Sequence, residues 1–212
     1  MSENPAKIVY RFEGGVYLNI TNRCPNLCAF CIKTKWQMDF HGNNLNLAAA
    51  EPSATEVIAA LQTELPKAPF DRVVFCGYGE PTMRLDVLLA VGKFLQDLRA
   101  AGTYAPFTVR LNTNGLGNLI NKRNIVPELR GVIDAVNVSV NAESPAVWQR
   151  IVRPQEPYKN GYISVLDFLK KCVDAKFDKV VASCVENAGA DPEGVKQIAD
   201  TLGAEFYLRS AL

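Results

Sequence analysis

Little in this 212-residue chain points to a membrane or a nucleic acid. No uninterrupted apolar stretch approaches the ~20 residues of a membrane-spanning helix. Residues 1–11 lack the apolar segment of a secretory signal. No block of Lys and Arg stands out, and the formal net charge is only +1, so a polyanionic partner has no electrostatic footprint here. Internal repeats, low-complexity tracts and an interdomain linker are also lacking. His41 is the only histidine. These absences leave a single soluble, cytoplasmic domain over residues 1–212 as the expectation, with 48% hydrophobic residues to bury a core. The reducing cytoplasm suits free thiols.

What is present is a cysteine triple, in the run Thr21-Asn22-Arg23-Cys24-Pro25-Asn26-Leu27-Cys28-Ala29-Phe30-Cys31. It follows a strand-like stretch, Val16-Tyr17-Leu18-Asn19-Ile20. Six cysteines placed at random in 212 residues give a C-x3-C-x2-C triple about 0.005 times per chain. Free cysteines also pack as small hydrophobes, which is the bland alternative. A structural zinc site would want a fourth ligand, and no fourth Cys or His lies close by in sequence. Three loop thiols cannot pair among themselves without a remainder, which speaks against disulfides. Three thiolates can instead bind three irons of a cubane cluster. The fourth iron then stays open to a small molecule.

Strand patterns fall at residues 16–21, 72–77, 108–114, 135–141, 179–185 and 204–209. A run at 8–12 with the turn Glu13-Gly14-Gly15 predicts a hairpin with the first of them (8–21). Ser53-Ala54-Thr55-Glu56 reads as a capping box opening a helix to residue 65. Helices are also predicted over 85–101, 160–177 and 191–203, with only a short one in the Asn-rich stretch 115–130. Strands alternating with crossovers imply a six-stranded parallel sheet of the α/β class. In 135–141, Val136, Val138 and Val140 share one face while Asn137, Ser139 and Asn141 share the other. In 108–114, Val109 and Leu111 oppose Arg110, Asn112 and Asn114. A doubly wound sheet is apolar on both faces. One polar face predicts instead a curled, TIM-like partial (β/α)6 barrel, with helices outside and a solvated lumen. No segment remains for a second domain.

The second predicted strand ends in Phe75-Cys76-Gly77-Tyr78-Gly79-Glu80-Pro81-Thr82. A Gly-Glu-Pro turn alone is weak evidence. At the C-terminal end of the strand after a cysteine triple it is strong. Together, Cys24, Cys28, Cys31, Phe30 and Gly79-Glu80-Pro81 resemble the radical S-adenosylmethionine (SAM) superfamily. The segments Asn19-Ile20-Thr21-Asn22-Arg23-Cys24 and Asn112-Thr113-Asn114-Gly115-Leu116 are similar to the smaller family of radical SAM proteins linked to TatD-type nucleases. Arg123 to Leu129 and Val165-Leu166-Asp167-Phe168 add to that likeness.

The resemblance implies a 4Fe–4S cluster on Cys24, Cys28 and Cys31, with SAM on the open iron. One electron from a donor such as flavodoxin or ferredoxin breaks the sulfur–C5′ bond. The resulting 5′-deoxyadenosyl radical takes hydrogen from a small or medium organic substrate. It also implies Phe30 near the adenine and the Tyr78-Gly79-Glu80-Pro81 turn at the SAM ammonium, with Tyr78 where Gly is commoner. Asn114, Ser139 and Asn141 fall where ribose and carboxylate are held, with Arg153 and Arg209 as cations within reach. Cys76, Cys172 and Cys184 read as core cysteines, although Cys76 or Cys184 could face a substrate. His41 reads as a solvated residue of the loop 36–52, itself a candidate lid within the cluster segment 22–52. Trp148 reads as helix packing. Three alternatives stay open: a glycyl-radical-enzyme activase, a 7-carboxy-7-deazaguanine synthase-like enzyme, and an iron–sulfur redox or binding protein without SAM turnover.

Overall fold

The structure is a computed structural model that describes residues 5–48 and 50–211. An opening hairpin pairs β1 (Val9–Phe12) with β2 (Gly15–Leu18), antiparallel across the predicted turn. A short helix α1 (Ile32–Lys35) follows the cysteines, then a two-stranded ribbon, β3 (Asp39–Phe40) and β4 (Asn43–Asn44). Next come α2 (Ala54–Glu64), β5 (Arg72–Phe75), α3 (Leu85–Ala100) and β6 (Thr108–Thr113). Two short helices, α4 (Gly117–Ile120) and α5 (Val126–Arg130), lead to β7 (Ala135–Ser139). The chain continues through α6 (Pro145–Val152), α7 (Tyr162–Asp174), β8 (Lys179–Val185), α8 (Pro192–Leu202) and β9 (Glu205–Arg209).

Local chemistry sets the helix ends. The Ser53–Glu56 capping box forms, with the Ser53 N–H donating to Glu56 Oε2 at 2.8 Å. Asp191 caps α8 before Pro192, and Gly203 ends it in the left-handed region at φ 82°. The helix α6 carries Trp148, read from the sequence as helix packing, and starts at Ser144-Pro145: the Ser144 Oγ accepts from the Val147 N–H at 3.4 Å. At eight residues it is too short to display a full periodic face.

The main sheet runs β1-β2-β5-β6-β7-β8-β9, and every neighbouring pair after the hairpin is parallel. The expected six-stranded parallel sheet is thus present, extended at one edge by antiparallel β1. Its order never reverses, as it would at the switch point of a doubly wound sheet. Each crossover moves the same way, so the helices collect on one face, as in a partial barrel.

That outer face carries the main core. Val109, Leu111, Val136 and Val138 are fully or almost fully buried, packed with Leu88, Val91 and Leu95 of α3 and Phe168 and Leu169 of α7. The inner face is polar on β6 and β7, half-buried at Arg110, Asn112, Asn137 and Ser139, and mixed on β8, where Ser183 lies between Val181 and Val185. The alternation expected from the sequence is therefore realised. No helix among the described residues is long and apolar enough to cross a membrane.

Trp148 of α6 is sealed from solvent and meets Tyr162 of α7, ring centroids 6.1 Å apart. Trp148→Ala should destabilise the fold by about 3–5 kcal/mol, the usual loss for a large buried aromatic. Denaturant unfolding would measure this; a loss below about 1 kcal/mol would mean that α6 is not integral to the core.

Candidate active site

The cysteine loop lies beyond the C-terminal end of β2, where an α/β barrel places its chemistry. Cys24, Cys28 and Cys31 are free and half-buried. The segment after α6 holds the loop through its backbone. The Ala29 N–H donates to the Ile151 carbonyl at 2.8 Å and Leu27 N–H to the Arg153 carbonyl at 3.1 Å. In return the Gln155 N–H donates to the Pro25 carbonyl at 2.8 Å, and Asn26 bridges to Pro154.

Burial pushes the Cys24 thiol up to about 11. Burial and the neighbouring thiols push Cys28 up to about 12. Both therefore need a cationic centre to become thiolates, the ligating form. Among the described residues no three His, Cys, Asp or Glu side chains converge on a single-ion position. A mononuclear zinc would draw every sulfur to about 2.3 Å from one point. Cys24, Cys28 and Cys31 sense one another as near charges, so the three thiols are neighbours on one loop, the donor type that an iron–sulfur cluster takes. The Asn26 Oδ1 in the same loop is buried without a partner.

The Gly79-Glu80-Pro81 turn is a structural clasp. A Cβ on Gly79 would sit 2.3 Å from the Thr21 carbonyl oxygen and 2.7 Å from that of Arg23. Only glycine permits this approach. It lets the Glu80 N–H reach the Arg23 carbonyl at 2.8 Å, one residue before Cys24. The Glu80 carboxylate is buried. Its Oε1 accepts from the Thr82 N–H (3.1 Å), Thr82 Oγ1 (2.7 Å) and Thr113 Oγ1 (2.8 Å). Its Oε2 accepts from the Asn114 N–H at 2.7 Å. Glu80 is thus largely consumed by the fold, and Oε2 alone keeps spare accepting capacity. Pro81 is buried at the start of the following turn.

Asn114 joins this clasp to the cysteines, its Nδ2 lying 3.9 Å from Cys24 Sγ. Ser139 ends β7 on the inner face. Asn141 leaves the extended pattern, adopting φ 66°, and its Oδ1 accepts from Arg209 Nη2 at 2.6 Å. Arg209 feels Cys184, Cys76 and Cys28 as near charges, and its Nε is sealed without a partner. Three further orphans lie on the inner face: Arg110 Nε, Asn112 Oδ1 and Asn137 Oδ1. The alternation had placed these side chains on that face; their burial without partners only the tertiary structure reveals.

Phe30 is half-buried against the main core. Arg153 differs from expectation. It closes α6 in the left-handed region, its side chain is exposed, and it serves the site through its carbonyl. Cys184 is sealed on the helix-covered face, so a role facing the lumen does not fit it. Cys172 is a core cysteine as expected, whereas Cys76 lies on the inner side, beside Asn112.

Over the inner face of β1, β2 and β5 sits a second apolar cluster: Tyr10, Tyr17, Phe40, Leu45, Val74 and Tyr78. Phe40 and Leu45 come from the loop 36–52, which is thereby docked. Tyr78 supplies a further tie, its hydroxyl donating to the Asp39 carbonyl. Asn22 secures the far side through the Leu45 carbonyl and the Leu47 N–H. At the loop's end Glu51 meets Arg23 at 2.8 Å and Arg84 at 3.1 Å, and accepts from Thr21. His41 is exposed as expected, yet stacked on Phe12 at 5.1 Å.

Residues 18–202 match the family model of the radical SAM superfamily. Solved structures share the fold. The FeFe-hydrogenase maturase HydG from Carboxydothermus hydrogenoformans is 17% identical, with a TM-score of 0.59 over 93% of this chain and 44% of that one. The structure of anSMEcpe with bound AdoMet is 15% identical, with a TM-score of 0.64 over 92% of this chain and 50% of that one. The radical S-adenosylmethionine methyltransferase TsrM from Kitasatospora setae, with cobalamin and a [4Fe-4S] cluster bound, is 14% identical, with a TM-score of 0.51 over 92% and 36%. The chain thus spans half or less of the length of these structures. No curated protein matches the sequence.

Two outcomes are expected of the clasp and the loop 36–52. Gly79→Ala should push the cysteine loop away and lower the iron content of the reconstituted protein, although all three cysteines remain. Full iron and sulfide content would show that the close approach is dispensable. For Glu51, burial raises the carboxyl pKa, but hydrogen bonds from Arg23 and Thr21 and the Arg23 and Arg84 charges outweigh it, and the net shift is downward. Its anchoring is therefore complete above the ordinary Glu value of about 4.3 and is lost as pH falls through the lowered value. Hydrogen exchange over residues 39–48, corrected for intrinsic rate, should accelerate across that acid window in the wild type. In Glu51→Gln it should already be fast at neutral pH.

Proposed function

The chain belongs to the radical SAM superfamily, whose members work with a 4Fe–4S cluster and SAM, and on that premise we propose that it cleaves SAM reductively and takes hydrogen from a small or medium organic substrate. Cys24, Cys28 and Cys31 hold the cluster. Bound there, cluster and SAM supply a 5′-deoxyadenosyl radical. The observation that carries this reading is the conjunction of three neighbouring thiols with an inner face whose buried polar atoms lack partners.

The chain's own groups bind and orient. Asn141 and Arg209, joined at 2.6 Å, present a donor set to the SAM carboxylate and ribose, with Ser139 beside them. Asn114, beside Cys24, and the carbonyl side of the Gly79 turn face the amino group. Phe30 flanks the adenine. The docked loop 36–52 excludes water from the lumen, which strengthens every polar contact inside it.

A redox protein without SAM turnover has no use for unpartnered groups deep in the lumen, and this favours the enzyme. The docked lid favours a small substrate over the inserted protein loop that a glycyl-radical activase would require. A heterocycle-processing enzyme comparable to 7-carboxy-7-deazaguanine synthase suits the same lumen. Kinship with the TatD-linked radical SAM proteins is supported by the segments at Asn19–Cys24, Phe75–Thr82 and Asn112–Leu116. A flavodoxin or ferredoxin of the cytoplasm is the electron donor.

Anaerobic reconstitution should give about four irons and four sulfides per chain. Cys28→Ala should lose them. With dithionite and SAM the wild type should form 5′-deoxyadenosine; its absence from a fully loaded protein would leave only the redox reading. Asn141→Ala should weaken SAM binding about 5- to 150-fold, the effect of leaving a buried polar partner unpaired, with iron content unchanged.

A further inference from the structure

The inner face holds two polar levels. The upper one contains Asn114, Ser139, Asn141 and Arg209, beside the cysteine loop. The lower one begins at Arg110 of β6, four residues before Asn114, which directly follows the strand's end. At about 3.3 Å per residue, Arg110 lies about 13 Å deeper than Asn114. It is paired in register with Val74 of β5 and Ala135 of β7. Asn112 faces Asn137 across the same strands.

The lower level is polar without being self-satisfied. Arg110 Nε, Asn112 Oδ1 and Asn137 Oδ1 are each sealed from solvent and lack a partner. Asn112 lies beside Cys76, and its amide oxygen is free to accept. Among the described residues no salt bridge involves Arg110. The Glu80 carboxylate is engaged by four donors of its own. Buried polar groups without partners cost stability, and a fold that keeps one cation and two acceptors so placed has its complement in a ligand. That complement carries one negative charge for Arg110 and N–H groups for the two amide oxygens. A single free guanidinium suits a monoanionic carboxylate, which it can grip with two parallel bonds, better than a phosphate dianion. Tyr17 and Val74, adjacent in register, give the level an apolar side wall.

We infer that the level lined by Arg110, Asn112, Asn137 and Cys76 is a subsite for a small carboxylic acid bearing N–H groups, either an amino acid or a nitrogen-heterocyclic carboxylate. Naming that acid the substrate rests on the radical SAM reading above; its binding does not.

The test is equilibrium dialysis of the cluster-reconstituted protein, with and without SAM. The probes are the proteinogenic amino acids, pyrrole-2-carboxylate and orotate, each set against its carboxamide, with inorganic phosphate as a separate arm. At least one acid should bind, and bind at least tenfold more tightly than its amide. Arg110→Gln should weaken it at least tenfold. Asn137→Asp, which supplies an internal carboxylate of nearly the same size, should do the same, while Arg110→Lys should retain part of the affinity. Iron content and SAM affinity, measured in the same samples, should not change in any variant. The inference is overturned if no acid binds, if acid and amide bind alike, if phosphate is the only ligand, or if both variants bind as the wild type does. Failure to assemble a cluster or bind SAM would instead remove the radical SAM reading and leave the acid-binding result standing.

Discussion

The buried carboxylate of Glu80 is the contact on which the site depends. Taking a carboxylate out of water is costly unless its lone pairs are filled, and here four donors from three residues fill them. Burial still pushes its pKa up, against the lowering effect of those same bonds. The result fixes the end of β5 to the end of β6. The backbone of the same residue fixes both to Arg23, one step before the first cysteine of the triple. The close approach allowed by Gly79 makes that last bond possible. The motif residues of this turn therefore act on the cysteines largely through the fold.

Around this joint the sheet separates two environments. Its outer face is continuous with the helices in one large core. Its inner face is divided. Under β1, β2 and β5 it is apolar and closed by Phe40 and Leu45 of the loop 36–52; under β6 and β7 it is polar. The division decides where a ligand goes. The aromatic half is filled by the protein itself, and the polar half is where buried atoms remain without partners. Tyr78 belongs to both, since its backbone lies in the glycine turn and its hydroxyl holds the lid ribbon.

The cysteine loop has a second support that no motif describes. The stretch from Ile151 to Gln155 runs beside it and exchanges backbone hydrogen bonds with Pro25, Leu27 and Ala29. These bonds are indifferent to side chains, so sequence leaves little trace of them. They also explain why Arg153 matters through its left-handed backbone at the end of α6 and not through its charge.

Much of this was legible in the chain itself. Periodicity of two at Val136, Val138 and Val140 against Asn137, Ser139 and Asn141 set the barrel-like class and the polar lumen, because side-chain direction along a strand is a local property. Capping chemistry at Ser53 and Asp191 placed helix starts for the same reason. The spacing of Cys24, Cys28 and Cys31 determined the chemistry of the donor set. Tertiary structure alone decided the rest, since it turns on long-range contacts: that Cys184 faces the helices while Cys76 faces the lumen, that Glu80 is spent on Thr82, Thr113 and Asn114, and that Tyr78 ties down Asp39. It alone also decided that Arg110, Asn112 and Asn137 each carry a sealed atom without a partner. Whether a polar side chain finds a partner depends on every element packed around it, and no local pattern encodes that.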